Sequence, residues 1–173
     1  MFTKRAVLPP VMAKVDRAPG GVEREEQLER LYRERGAKMW RAVLAFAGDP
    51  EVANDAVAEG FAQALHRGTE IRDPERWLWR VVFRIAAGLL AERRRSEPLG
   101  PEASYELEEP ARELVAALAR LSPKQRAAVV LHHAAGYPVK EIAEILGTTP
   151  GAVKVHLLRG RRRLRDVLGN DDG

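Results

Sequence analysis

Four times along this chain a side-chain hydrogen-bond acceptor is followed directly by proline: Asp49-Pro50, Asp73-Pro74, Ser122-Pro123 and Thr149-Pro150. No other feature constrains the fold as much, because each pair marks the start of a helix. A short polar side chain at the N-cap accepts a bond from an orphan backbone N–H, and proline at the next position lacks a donor that would go unpaired there. Ser122 also has Gln125 three residues on, which completes a capping box. The apolar residues that follow keep helical spacing, first at Val52, Ala56, Phe61 and Leu65, then at Trp77, Leu78, Val81, Val82, Ile85 and Leu89. Ahead of the first start, Leu28, Leu31, Tyr32, Met39, Val43 and Phe46 make a stripe of their own. No run alternates in the manner of a strand. The expected fold is all-α, with helices at about 23–46, 50–66, 74–95, 111–121, 123–135, 139–146 and 150–167.

Residues 96–110, "SEPLGPEASYELEEP", hold three prolines, five glutamates and no basic residue, the composition of a linker. The chain is therefore expected to form two small helical domains, 23–95 and 111–168, joined by an acidic, Pro-containing linker. Flexible tails are expected at 1–22 and 169–173. Its formal charge of +4 is unevenly spread: +3 over 1–20, +1 over 21–95, −5 over 96–110 and +5 over 111–173. A basic block behind an acidic linker points to a polyanionic partner.

The chain has no cysteine, which removes disulfides, thiolate zinc sites and cysteine nucleophiles together and fits a cytoplasmic location. No apolar run approaches the roughly 20 residues that span a bilayer, so membrane insertion is not expected. The opening "MFTKRAVLPPVMAKVDRAPGG" lacks the apolar centre of a secretory signal. An enzyme would need a constellation of reactive groups, and none is legible. Of the four histidines, His66, His132, His133 and His156, the adjacent pair should not face one ligand from a helix, and no glutamate stands at metal-binding spacing around it. A Gly-rich phosphate loop and a recognisable nucleophile are also missing. The chain is expected to be no enzyme, with neither metal nor cofactor.

The stretch "YPVKEIAEILGTTPGAVKVHLLRGRRRLR" has the grammar of a helix-turn-helix. Ile142, Ala143 and Leu146 line one face of a short helix, Gly147 supplies the turn, and Thr149-Pro150 restarts the chain. On the second helix Val153, Leu157, Gly160 and Leu164 face inward, leaving Lys154, His156, Arg159, Arg161, Arg162 and Arg165 outside. In this motif the second helix lies in the major groove with its first turns at the base edges. Thr148, Thr149, Gly151, Lys154, Val155 and His156 are then the candidates for base-edge and nearby phosphate contact. Arg159, Arg161 and Arg162 fall further along, where phosphates are the natural target. A solvated basic helix would use the same arginines to favour the helix dipole. A membrane-surface helix fits less well, because the inward face is narrow and contains Gly160.

Two segments of the first half, "GDPEVANDAVAEGFAQAL" and "DPERWLWRVVFRIAAGLLAERRR", together with "LARLSPKQRAAVVLHHAAGYPVKEIAEILGTTPGAVKVHLLRGRRRLR", resemble the extracytoplasmic-function class of bacterial RNA polymerase sigma factors. The resemblance covers about residues 26–95 and 111–168. It implies a first domain, region 2, that binds the β′ coiled-coil of the polymerase core and reads and opens the −10 promoter element. It implies a second, region 4, that reads the −35 element and touches the β flap. By position, Asp55 and Glu59 match the polymerase-binding segment, with Phe61 and Leu65 beneath them. The loop His66–Asp73 matches the family's site for a flipped base, and Trp77, Arg80 and Arg84 face the promoter strand. The linker corresponds to a segment that threads toward the active-site cleft, where its glutamates would imitate nucleic acid or simply be solvated. The class also commonly has an anti-sigma factor as partner.

The residues themselves agree in part. Arg76, Arg80 and Arg84 recur at i, i+4 and i+8 beside Trp77 and Trp79, and cations with aromatic platforms suit single-stranded DNA. Alternatively both tryptophans are core and the arginines pair with Glu75 or Asp73. Trp77 lies on the apolar stripe, which favours core; for Trp79, off the stripe, both readings stand. The chain departs from the family at Ala58, usually Gln, at Arg84, usually Asn, and at Val155-His156, more commonly Ser-Arg. Ala58 and Arg84 keep open a sigma-like protein that binds polymerase without opening promoters; a plain helix-turn-helix transcriptional regulator stays open as well, because such proteins share the C-terminal pattern.

Overall fold

The computed structural model describes residues 21–96 and 109–169; most of the expected acidic linker, 97–108, and most of the tails lie outside them, while Ser96 ends a helix and Glu109 and Pro110 open one. Among the described residues the chain is helical without a strand: α1 (Gly21–Ala47), α2 (Pro50–Arg67), a 3₁₀ turn (Gly68–Glu70), α3 (Pro74–Ser96), α4 (Glu109–Ala119), α5 (Pro123–His133), α6 (Val139–Leu146) and α7 (Pro150–Gly169). Each acceptor–proline pair opens a helix as its chemistry requires. Asp49 accepts from the N–H groups of Glu51 and Val52, and Asp73 from that of Arg76 at 3.1 Å. Ser122 and Gln125 exchange both bonds of a capping box, and Thr149 accepts from Ala152. Asp49 is also gripped by Arg93 near the end of α3, which bonds Glu51 as well at 2.9 Å, so the start of α2 is tied to the far end of α3.

α1, α2 and α3 pack against one another around Leu28, Met39, Val43, Phe61, Leu78 and Val82, all buried. α5, α6 and α7 form a second group, with α4 against α1 and α7. The two groups are themselves in contact: α1 meets α4 and α5, α3 meets α6, and the buried apolar residues make one continuous cluster from Leu28 to Leu157.

A buried arginine joins the groups. Arg126, at the start of α5, donates to the carbonyls of Leu121 and, across the seam, of Phe46, at 3.2 and 2.8 Å, and its guanidinium lies 5.8 Å from the Phe46 ring centre. Burial, and then the charge of Arg94, pulls its pKa below the ordinary arginine value. A second bridge is aromatic: Trp79 of α3 meets Tyr137 edge-on at 5.5 Å and Phe83 at 6.0 Å.

That bridge decides the reading left open for Trp79, while Trp77 packs against the same core from its edge. Trp79 is 1% exposed, whereas Trp77 is only half-buried, beneath the guanidinium of Arg67 at 5.7 Å. The stripe through Leu78, Val82 and Ile85 identified the face that α3 turns to α1 and α2. It carried no sign that a further face, bearing Trp79 and Phe83, is covered by the turn before α6.

Candidate nucleic-acid interface

The helix-turn-helix is built by α6, its turn and α7. Gly147 adopts φ 62°, ψ 43°, the left-handed conformation that a Cβ disfavours. This lets the N–H of Thr148 return to the carbonyl of Ala143 at 2.9 Å and that of Gly147 to Glu144, the paired bonds of a Schellman ending. Thr149 then starts α7 at once. Val153, Leu157 and Gly160 are buried and Leu164 half-buried, as their spacing implied. Gly160 is where α7 crosses α5: a Cβ there would stand 2.9 Å from Val129 Cγ2, so the close approach needs glycine.

Outward from that stripe α7 exposes Lys154, Arg159, Arg161, Arg162, Arg163 and Arg165. None of these cations forms an ion pair among the described residues. Thr148, Thr149, Gly151 and Val155 are exposed beside them, so the first turns present a mixed polar and apolar surface flanked by positive charge. His156 differs from the expectation of an outward side chain. It is half-buried, on the wall of a groove of about 610 Å³ that runs between α3 and the helix-turn-helix. Phe46, Phe83 and Ile145 contribute apolar surface to that groove, and its charged lining is three cations, Arg80, Arg84 and Lys124, with one acid, Glu144.

Arg80 and Arg84 are exposed on α3, on the side that faces this groove. Arg76 is not free. It pairs with Asp73 at 3.7 Å and, across the seam, with Glu141 at 3.7 Å and Glu144 at 2.7 Å of α6. The alternative in which these arginines pair with local acids therefore holds for one of the three: Arg76 pairs with Asp73 as that alternative has it, and also with Glu141 and Glu144, which the sequence spacing did not suggest. On the opposite side of the first helical group, Asp55 and Glu59 are exposed on α2. Phe61 is buried edge-on against Tyr32 at 5.0 Å, and Leu65 is half-buried. The His66–Asp73 segment is anchored by Ile71, which is buried and whose carbonyl accepts from Arg24 at 2.7 Å.

Sequence reasoning passed over Arg126, Tyr137 and the pair Glu141–Glu144. Arg126 carried a signal, since a charge three and four residues before Val129 and Val130 sits on the buried stripe of α5. The other three act across the seam, which no local pattern encodes. His132 and His133, the last two residues of α5, have their rings edge-to-face at 4.8 Å. No third metal-ligating group joins them among the described residues.

Comparison with known proteins places this geometry. The family model described as Sigma-70, region 4 matches residues 111–164, the segment that builds α4 to α7. The ECF RNA polymerase sigma factor SigL of Mycobacterium tuberculosis is 33% identical over 168 residues, which cover 88% of this chain and 95% of SigL. SigE of Mycolicibacterium smegmatis is 29% identical over 157 residues, covering 81% of this chain but only 61% of SigE. The solved structure of CnrH in complex with the cytosolic domain of CnrY superposes with a TM-score of 0.70 over 88% of this chain and 94% of that one, at 22% identity.

Proposed function

The chain belongs to the ECF sigma factors of RNA polymerase, and from that membership we propose that it binds the polymerase core and directs it to promoters. The observation that carries the reading is the α6–Gly147–α7 unit, whose second helix buries one narrow stripe and leaves its exposed cations without an ion-pair partner among the described residues. Such a surface fits the major groove of the −35 element, with Lys154 and Arg159 on phosphates and the first turns at the bases. Arg76, Trp77, Arg80 and Arg84 of α3 then take the −10 element, and Asp55 and Glu59 on α2, supported from below by Phe61 and Leu65, meet the β′ coiled-coil. Region 4 would also touch the β flap. Sigma factors are not enzymes in general, so the readout is transcription by the polymerase.

Both elements cannot be read from the closed arrangement. Their centres lie about 25 base pairs apart, which is about 85 Å along B-form DNA, whereas α3 and α6 are in contact. The seam must open, and Arg76 must exchange Glu141 and Glu144 for phosphate. The closed form suits storage instead. CnrH is solved with the cytosolic domain of CnrY, and we extend an anti-sigma partner of that kind to this chain. The groove between α3 and the helix-turn-helix, lined by apolar side chains and by more basic residues than acidic ones, would receive an acidic amphipathic segment.

Gel filtration with bacterial core polymerase, followed by run-off transcription from a promoter library, tests the reading. Co-elution together with transcripts is expected, and an Asp55→Lys/Glu59→Lys variant of normal helicity should no longer co-elute. Co-elution without transcripts would replace the proposal with a polymerase-binding protein that does not open promoters. No co-elution would leave a plain DNA-binding regulator.

A further inference from the structure

α7 exposes three large apolar side chains, Val155, Leu158 and, near its end, Leu168, and the first two adjoin. Val155 is 42% exposed and Leu158 is 60% exposed, although the same helix buries Val153 and Leu157 completely. Successive residues turn by about 100° in an α-helix, so Val155 and Leu158 are about 60° apart and adjoin on one face. The mean direction of the buried Val153, Leu157 and Gly160 lies roughly opposite them. Val155 and Leu158 therefore form the crest of α7, with Arg162 on the same line one turn further on. Lys154 flanks the crest on one side and Arg159 on the other, both exposed. Neither crest residue lines the groove at the seam, so the crest is open even with the two helical groups closed.

An apolar crest between two lines of cations is complementary to one kind of surface. A major groove has anionic walls, the two phosphate backbones, and a floor of base edges whose apolar element is the C5-methyl of thymine. A protein surface would have to place acids on both flanks of an apolar ridge to match. A membrane would want the apolar stripe to continue, but the crest runs into Arg162 and Arg165. Resting on the proposed −35 role of α7, we infer that Val155 and Leu158 are specificity-determining residues that pack on thymine methyl groups. The element this protein prefers accordingly has thymine, on either strand, at the positions beneath the second and third turns of α7. Lys154 and Arg159 position the helix on the backbone and leave the choice of base to the crest.

The test uses the holoenzyme formed with core polymerase and a promoter recovered from the library. Each thymine of the −35 region is replaced in turn by deoxyuridine, which deletes the methyl and keeps every hydrogen-bonding group. Equilibrium binding of the wild-type holoenzyme should weaken about fourfold at one or two positions, the factor that one buried methyl is worth, and stay unchanged elsewhere. Leu158→Ala and Val155→Ala, at exposed positions where folding is not at stake, should bind the thymine promoter correspondingly less well. Each should also lose its sensitivity to deoxyuridine at its own position. Specific promoter binding with no deoxyuridine effect anywhere would overturn the inference and leave the sigma-factor reading intact. So would a deoxyuridine effect that persists in both alanine variants. Failure of the wild-type holoenzyme to select any promoter would overturn the sigma-factor reading itself.

Discussion

Position 60 admits no side chain. A Cβ there would stand 2.5 Å from Val82 Cγ2, and a fully buried β-branched valine, which strongly prefers one χ1 rotamer in a helix, gives way only at a cost. Helix propensity pulls the other way, since alanine is favoured over glycine by about 1 kcal/mol in a helix interior. Overpacking of a close interhelical contact costs about 1–3 kcal/mol, so the steric effect wins and Gly60→Ala should destabilise the fold. Gly88 is the control. It is exposed on α3 with nothing within 4 Å of a built Cβ, so Gly88→Ala should stabilise by up to about 1 kcal/mol. Urea denaturation followed by circular dichroism decides both. A Gly60→Ala midpoint at or above that of the wild type would show that α2 and α3 are free to separate, contrary to this account.

The helices were legible because their signals are local. A capping side chain, a proline and a stripe at 3.6-residue spacing act within one or two turns, and each expected helix is present with ends shifted by a few residues. The same locality explains why the reading of Trp79 stayed open. The stripe of α3 identifies the face packed on α1 and α2, while the residue that covers Trp79 is Tyr137, 58 positions further along the chain. The chemistry of α7 was equally local, and it yields a quantitative expectation. If Lys154 and Arg159 each neutralise one phosphate, then Lys154→Ala and Arg159→Ala should each flatten the slope of log affinity against log salt by about 1. Both should also weaken binding to all promoters alike, unlike changes at the crest. Slopes equal to the wild type in both variants, measured by titration of the holoenzyme from low to moderate salt, would remove these residues from the backbone contact.

What the whole molecule adds is the seam, and magnitudes say what holds it. The ion pairs of Arg76 with Glu141 and Glu144 join side chains that are 34–41% exposed, the class of pair worth about 0–1 kcal/mol. The Debye length falls from about 10 Å at 0.1 M to about 3 Å at 1 M, so salt weakens them further. Against them stand the Trp79–Tyr137 contact, an aromatic pair worth about 0.5–1.5 kcal/mol beyond its buried area, and Arg126 with its charged bond to the Phe46 carbonyl. The buried contacts should dominate. Small-angle scattering of the isolated protein should then give the same radius of gyration in 0.05 and 1 M NaCl, while Tyr137→Ala should expand it with helicity retained. Alkali should act in the same direction as that substitution. Burial first, and then the charges of Glu75, Glu141 and Asp73, raise the Tyr137 pKa above the ordinary phenol value. A group raised in this way contributes stability that is complete below its unfolded value near 10 and declines as pH climbs past it. The wild type should therefore begin to open above about pH 10, and Tyr137→Phe, which keeps the ring and deletes the hydroxyl, should lose that part of the pH dependence. Expansion in 1 M NaCl at neutral pH would reverse the order of forces and make the Arg76 ion pairs the clasp.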